Sequence, residues 1–308
     1  MLPNLVIAGA PKCGTTSVHR WLSAHPQSFG ARQKEVRYFL DHDYPLFVEH
    51  NFKKSELDGY EEFFPASEVG EADCIFETTP DYIYQNSALE AFESLLNEVK
   101  IIFILREPVD RLRSFFSFAQ NNVGAIPVSV DINQYVNDLK LHAEGAKLPD
   151  YLDGRIIAQS AILHGCYEFY LNNWYDRLGA DRISVYLFED LQSNPISFME
   201  KLSCELGIDP DFYHSFQLDV SNETLNIRSK KINGYLRKCR RRLRNRSGSL
   251  PYELCKKIYK RILSSPLGHK PPLSEESLNY LNSIFAPSNE QLRELTGLNL
   301  SSWSKEVE

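Results

Sequence analysis

Three observations predict an α/β fold of three layers, with a central parallel sheet and a helical C-terminal part. Short, nearly continuous apolar runs occupy residues 4–10, 74–77, 99–105 and 182–188, the pattern of strands buried on both faces of a parallel sheet. Patterns of helical period separate them. The chain of 308 residues is 43% hydrophobic and 24% charged, with 15 glycines and 16 prolines. That supports a sizeable core and excludes a disordered, collagen-like or low-complexity chain.

The first run, Leu5-Val6-Ile7-Ala8, enters Gly9 and Pro11 and predicts a strand that ends in a turn. Val18, Trp21 and Leu22 then recur at helical spacing, and Pro26 ends the pattern. After the third run, Pro108 stands where the first turn of a helix tolerates proline, followed by Leu112, Phe115, Phe116 and Ala119. Residues 124–154 are less regular, and 143–149 have the composition of a loop, a candidate lid or substrate wall. Near the C-terminus, Leu278, Leu281, Ile284 and Phe285 predict an amphipathic helix stopped by Pro287. No internal repeat interrupts the series. It reads as one domain over 1–308, with a basic segment at 226–261 and a helical tail at 273–303 packed on the core.

The net charge of -7 hides an asymmetry. Residues 226–261 hold 14 Lys or Arg against one acid, Glu253, so the remainder carries about -20. Such a block predicts an anionic ligand or partner nearby, and residues 237–246 are a candidate for contact with a membrane surface. A solvated helix face is the competing account. No run reaches the roughly 20 apolar residues of a membrane helix, and the first residues lack a basic-then-apolar leader. The six cysteines, at 13, 74, 166, 204, 239 and 255, have no paired spacing. The expectation is a reduced, cytoplasmic protein without a metal site.

The chemistry concentrates in Gly9-Ala10-Pro11-Lys12-Cys13-Gly14-Thr15-Thr16-Ser17, set between a strand and a helix. A glycine-rich turn entering a helix aims backbone N–H groups at one point with the helix dipole behind them, which makes an anion cradle. Gly9 and Gly14 match the glycines of G-x-x-x-x-G-K-[ST], but Thr15 stands where that loop has its lysine. The lysine is Lys12, upstream of the second glycine. A loop so altered predicts an anion other than a nucleoside triphosphate.

These residues resemble the 5'-phosphosulfate loop of sulfotransferases that use 3'-phosphoadenosine-5'-phosphosulfate (PAPS). A second motif of that family is similar to Ile101-Ile102-Phe103-Ile104-Leu105-Arg106-Glu107-Pro108, with Ser114 eight residues after Arg106. The resemblance implies a P-loop-like three-layer fold. It gives Lys12, Cys13, Gly14, Thr15, Thr16 and Ser17 to the 5'-phosphosulfate, and Arg106 and Ser114 to the 3'-phosphate. A guanidinium fork and a hydroxyl on a helix suit a dianion. Arg228, Lys230 and Lys231 lie about where the family closes a loop over the nucleotide. Lys34-Glu35-Val36-Arg37-Tyr38-Phe39 is similar to a segment of glycan sulfotransferases in which the glutamate is the catalytic base, so the resemblance implies Glu35 as base and Lys12 as stabiliser of the leaving oxygen. Residues 60–65 and 76–82 resemble blocks of heparan-type enzymes, and the tail through Trp303 has the family's closing helix and tryptophan. Phe188 sits where relatives place an aromatic near adenine.

Two positions depart from the pattern. Thr78 stands where heparan N-sulfotransferases carry a second lysine, and Thr78-Thr79 offers no histidine of the kind small-molecule sulfotransferases use. No role is assigned to His19, His25, His164 or His214. The expected reaction is in-line transfer of a sulfuryl group to a hydroxyl or amine of a glycan-like or other small acceptor, with a nucleotide donor and neither metal nor nucleic acid. A P-loop kinase or NTPase, and a polyanion-binding protein without catalysis, are the alternatives.

Overall fold

The computed structural model describes residues 1–52, 56–218 and 271–303. Five parallel strands, β1 (Leu5–Gly9), β2 (Ser28–Gly30), β3 (Cys74–Thr78), β4 (Lys100–Leu105) and β5 (Ile183–Leu187), form one sheet in the order β2-β3-β1-β4-β5. Leu5 pairs with Phe76 on one side and Lys100 on the other, and Leu105 pairs with Leu187. Every residue of β1 and β3 is buried, as is every residue of β4 but Lys100, which on a parallel sheet requires cover on both faces. Beginning from β1, the chain winds first toward β3 and β2, then returns to place β4 and β5 on the other side. The reversal leaves a crevice at the C-terminal ends of β1, β3 and β4.

Four of these strands coincide with the apolar runs. The fifth, β2, has three half-buried residues, Ser28-Phe29-Gly30, too few for a period to register. The helices are α1 (Thr15–Ala24), α2 (Asn86–Ser94), α3 (Pro108–Phe118), α4 (Ile132–Ala143), α5 (Tyr167–Leu178), α6 (Pro195–Leu206) and α7 (Glu275–Thr296).

Two of them correct the sequence reading. Helix α4 lies within 124–154, whose pattern predicts less regular structure: Asp131 caps it, accepting from the N–H groups of Asn133 (2.8 Å) and Gln134 (2.9 Å), and Ile132, Tyr135, Val136 and Leu139 are buried. Helix α7 does not stop at Pro287 but runs through it to Thr296. Pro287 sits on the exposed side, while Leu281, Phe285, Ser288 and Leu292 form one buried stripe across it. Anchorage on both sides of the proline outweighs the lost backbone bond, worth about 3 kcal/mol with its steric cost in an unsupported helix.

The chain divides into two compact units. The first comprises residues 1–111, 162–221 and 281–308 and contains the sheet; the second comprises 112–161 and 222–280. The described core of the second is built on α4, where Tyr135 packs 5.6 Å from Phe116, ring centre to ring centre, and donates to Ala158 O at 2.5 Å. In the first, the hydrophobic core is continuous from β1 to Trp303. The basic segment at 226–261 lies outside the described residues.

Candidate functional site

Strand β1 ends at Gly9 and α1 begins at Thr15, so the anion-cradle residues form the turn between them. Ala10 N–H donates to Ile104 O of β4 at 2.8 Å, and Cys13 N–H donates to Ala10 O at 3.3 Å. Lys12 and Gly14 take left-handed backbone angles, φ +75° and +83°. Gly14 is required there: a Cβ would lie 2.7 Å from Leu191 Cδ2 and 2.8 Å from Phe188 Cδ2. No side chain caps the N-terminus of α1; Ser17 N–H donates to Gly14 O at 2.9 Å, and the uncapped start of the helix points its positive end at the loop. Thr15 and Ser17 are buried and Thr16 half-buried. Cys13 turns into the core, its Sγ 3.7 Å from the Tyr167 hydroxyl. Burial pushes its thiol up to about 11, against Arg111 and Tyr167.

Arg106 follows the last residue of β4. The Tyr167 hydroxyl donates to Arg106 O at 2.8 Å and accepts from Arg106 N–H at 3.3 Å. The guanidinium reaches Lys12 O (3.5 Å) and stands 4.6 Å from the centre of the Phe188 ring. The loop, the end of β4 and the start of the short helix Phe188–Ser193 thus meet. Glu107 caps α3 through the N–H groups of Val109 (2.9 Å) and Asp110 (2.6 Å). Glu189 accepts from Glu107 N–H (2.9 Å) and from Trp303 Nε1 (3.0 Å), tying the tail to the same place. Ser114 is half-buried on the second turn of α3, in the part of that helix that belongs to the second unit. Arg228 and Lys230 lie outside the described residues.

The third wall is the segment 33–44, laced to the chain after β3. Glu35 N–H donates to Thr78 O (3.0 Å), Arg37 N–H to Thr79 Oγ1 (3.3 Å) and Asp41 N–H to Gln85 Oε1 (2.9 Å). Glu35 and Arg37 both have φ +63°. Of the four non-glycine residues with positive φ among the described residues, three lie on this segment or the loop, and such strain collects at functional sites. The two oxygens of Glu35 are each held by a cation, Oε1 by Lys34 Nζ (2.8 Å) and Oε2 by Arg37 Nη2 (2.7 Å). Burial pushes this carboxyl up, but Lys34 and Arg37 outweigh it and hold it below the usual range.

Lys12 shares this field. Burial and the Arg106 charge lower its ammonium to about 8, against Cys13 and Glu35, so it stays protonated at neutral pH while poised to lose its proton above it. A half-buried cation beside a second cation is costly unless an anion joins them. The arrangement is suited to a strongly anionic group between the loop and Arg106, with the Glu35 carboxylate in the same field.

Two further side chains belong here, His19, which no motif covers, and Asp81, to which the 76–82 block assigns no role. His19 on α1 lies 3.0 Å from Thr78 Oγ1 through Nδ1, and burial and Lys34 hold it down at about 4, hence neutral. Asp81, one turn beyond Thr78, accepts from the Tyr44 hydroxyl at 2.5 Å. His19 has no sequence neighbour that marks it, and each of the two meets its partner only through the fold.

The family model for the sulfotransferase domain matches residues 2–242. A mouse bifunctional heparan sulfate N-deacetylase/N-sulfotransferase 4 is 23% identical over 99% of this chain and 31% of its own length, and a human N-deacetylase/N-sulfotransferase 2 is 25% identical over 68% and 22%. The chain therefore spans less than a third of the curated relatives it matches. Among solved structures, a sulfotransferase from Alicyclobacillus acidocaldarius superposes with a TM-score of 0.65 at 19% identity, covering 99% of this chain and 100% of that one; this likeness shows the fold. With a family match that takes in the loop, Arg106 and the wall at 33–44, the chain belongs to the family of sulfotransferase domains.

Proposed function

We propose that the chain moves the sulfuryl group of PAPS to a hydroxyl or amine of a glycan-like or other small acceptor by in-line displacement. The observation that carries the reading is the convergence of the Lys12 loop, Arg106 and Phe188 at the ends of β1 and β4. The cradle suits the donor: the α1 N-terminus has no side-chain cap, and Lys12 and Arg106 set two cations beside the loop. When bound, PAPS supplies an activated sulfuryl group whose bond to the bridging oxygen breaks as the bond to the acceptor forms.

The protein's part is positioning and charge stabilisation. The loop N–H groups with Thr15, Thr16 and Ser17 hold the 5' end, and the Lys12 ammonium meets charge building on the bridging oxygen. By the family resemblance, Arg106, Ser114, Arg228 and Lys230 serve the 3'-phosphate and Phe188 the adenosine. Glu35 accepts the acceptor's proton; a base so placed contributes about 10²–10⁴-fold. The reading takes 1–308 as one sulfotransferase domain, supported by a family match that runs across both units. It includes a cytoplasmic setting, supported by the free thiols of Cys13, Cys74, Cys166 and Cys204. Among the described residues no helix is long and apolar enough to cross a membrane.

Calorimetric titration with adenosine 3',5'-bisphosphate and with ATP, each with and without magnesium, tests the donor. Metal-independent bisphosphate binding that weakens at least tenfold in Arg106→Ala is expected. Tighter binding of ATP with magnesium would make the protein a phosphate-transfer enzyme, and binding of neither would return it to the polyanion binders.

A further inference from the structure

The acceptor side of the site contains two carboxylates in unlike surroundings. Glu35 has both oxygens occupied, by Lys34 and Arg37. Asp81 is half-buried on the turn that follows β3, and among the described residues the Tyr44 hydroxyl, on Oδ1, is its one hydrogen-bond partner. Among the described residues nothing bonds its Oδ2. Burial pushes the Asp81 carboxyl up, with Tyr44 opposing, and it shares its field with Glu35, Arg37 and Lys34. The Tyr44 hydroxyl shares that field with Tyr84 and Tyr170, whose rings meet edge to face at 4.8 Å.

The backbone places the two carboxylates on one wall. Segment 35–41 is hydrogen-bonded residue by residue to 78–87: Glu35 to Thr78, Arg37 to Thr79, Phe39 N–H to the Tyr82 hydroxyl (3.4 Å), Asp41 N–H to Gln85, and the Asp41 carboxylate to the N–H groups of Asn86 (3.0 Å) and Ser87 (2.8 Å). Tyr44 continues this lacing to Asp81. An oriented carboxylate with one open oxygen, held by a tyrosine beside an engaged one, is a hydrogen-bond acceptor waiting for a donor. The cations Lys34 and Arg37 that share its field favour a neutral donor over an ammonium group.

We propose that Asp81, oriented by Tyr44, binds a second hydroxyl of the sulfuryl acceptor through Oδ2, so that the enzyme selects neutral acceptors bearing at least two hydroxyl groups, one to be sulfated and one to be read. The inference rests on the sulfotransferase reading and adds a division of labour: Glu35 takes the proton, and Asp81 sets which acceptor is held.

Saturation-transfer NMR of the full chain with adenosine 3',5'-bisphosphate present compares trans-cyclohexane-1,2-diol with cyclohexanol. The wild type is expected to prefer the diol about tenfold, one hydrogen bond to a charged acceptor being worth about 1.5 kcal/mol or more. In Asp81→Ala the preference falls to about one, while bisphosphate affinity, read on the same sample, reports that the variant is folded. Where turnover is measured, Asp81→Ala raises KM for the diol more than it lowers kcat, and Glu35→Gln lowers kcat and keeps the preference. A wild type that binds neither probe or does not distinguish them overturns the proposal, as does an Asp81→Ala variant that keeps the preference, or one that loses kcat and shifts the pH profile in place of KM. Failure of the wild type to bind the bisphosphate sinks the donor reading instead, with the probe ratio still deciding the subsite.

Discussion

The guanidinium of Arg106 stands 4.6 Å from the centre of the Phe188 ring, which joins the residue after β4 to the residue after β5, the strand that pairs with it through Leu105 and Leu187. Phe188 thus supports the cation from one face and presses its edge toward Gly14. Phe188→Ala is expected to weaken bisphosphate binding by about 3- to 10-fold, the scale of a cation–π contact. Arg106→Ala should cost at least tenfold more than Phe188→Ala, because it removes the charge itself. Calorimetry on the two variants orders them.

Gly14→Ala tests the loop backbone. The added methyl meets Leu191 and Phe188 under 3 Å at φ +83°, so strain and overpacking add. A loss of about 2–4 kcal/mol of stability is expected, together with loss of bisphosphate binding. Denaturant melts and calorimetry read the two effects separately.

Lys12 gives a pH signature. Its folded value near 8 lies below the usual 10.5, and an arriving anion raises it again. Bisphosphate binding at pH 8–9 should therefore take up protons, while binding at pH 6.5 should not. Titrations in buffers of different ionisation enthalpy measure the uptake, and Lys12→Ala should remove it. Turnover should fall as pH rises through about 8 wherever the free enzyme limits the rate.

Glu77 gives a second. This fully buried carboxyl accepts from Tyr60 (2.5 Å), Thr79 (2.9 Å) and Tyr82 (3.4 Å), and burial pushes it up to about 7 despite those donors. The raised value means that the native state binds the proton more tightly than the unfolded chain. The stability it contributes is full below about 4.5 and is lost as pH rises to about 7. Across that window Glu77→Gln should gain on the wild type, by roughly 2–4 kcal/mol at pH 8 relative to pH 4.5. Thermal melts of both proteins against pH check the sign.

Much of the donor side was legible along the chain because its parts are local. The apolar runs predict four strands, and the loop at 9–17 and Arg106 directly follow two of them, β1 and β4. A strand end and the turn after it move together, so a linear motif reports the position of its side chains. Local patterns failed where long-range packing decides: β2 is three residues with no period, and α7 passes Pro287 because Leu281, Phe285 and Leu292 are buried on either side of it.

The wall that bears Glu35 was hardly legible beyond that residue. Asp81 lies in the family-like block 76–82, which assigns it no role, and its partner Tyr44 is 37 positions away; His19 likewise acquires Thr78 across 59 positions. The sequence by itself determined the sheet's buried strands, the anion loop and the family, because each is written in contiguous residues whose geometry the backbone enforces. Only the tertiary structure decided that Glu35 meets Lys34 and Arg37 and that Asp81 meets Tyr44, because pairing and burial depend on the groups that folding brings alongside.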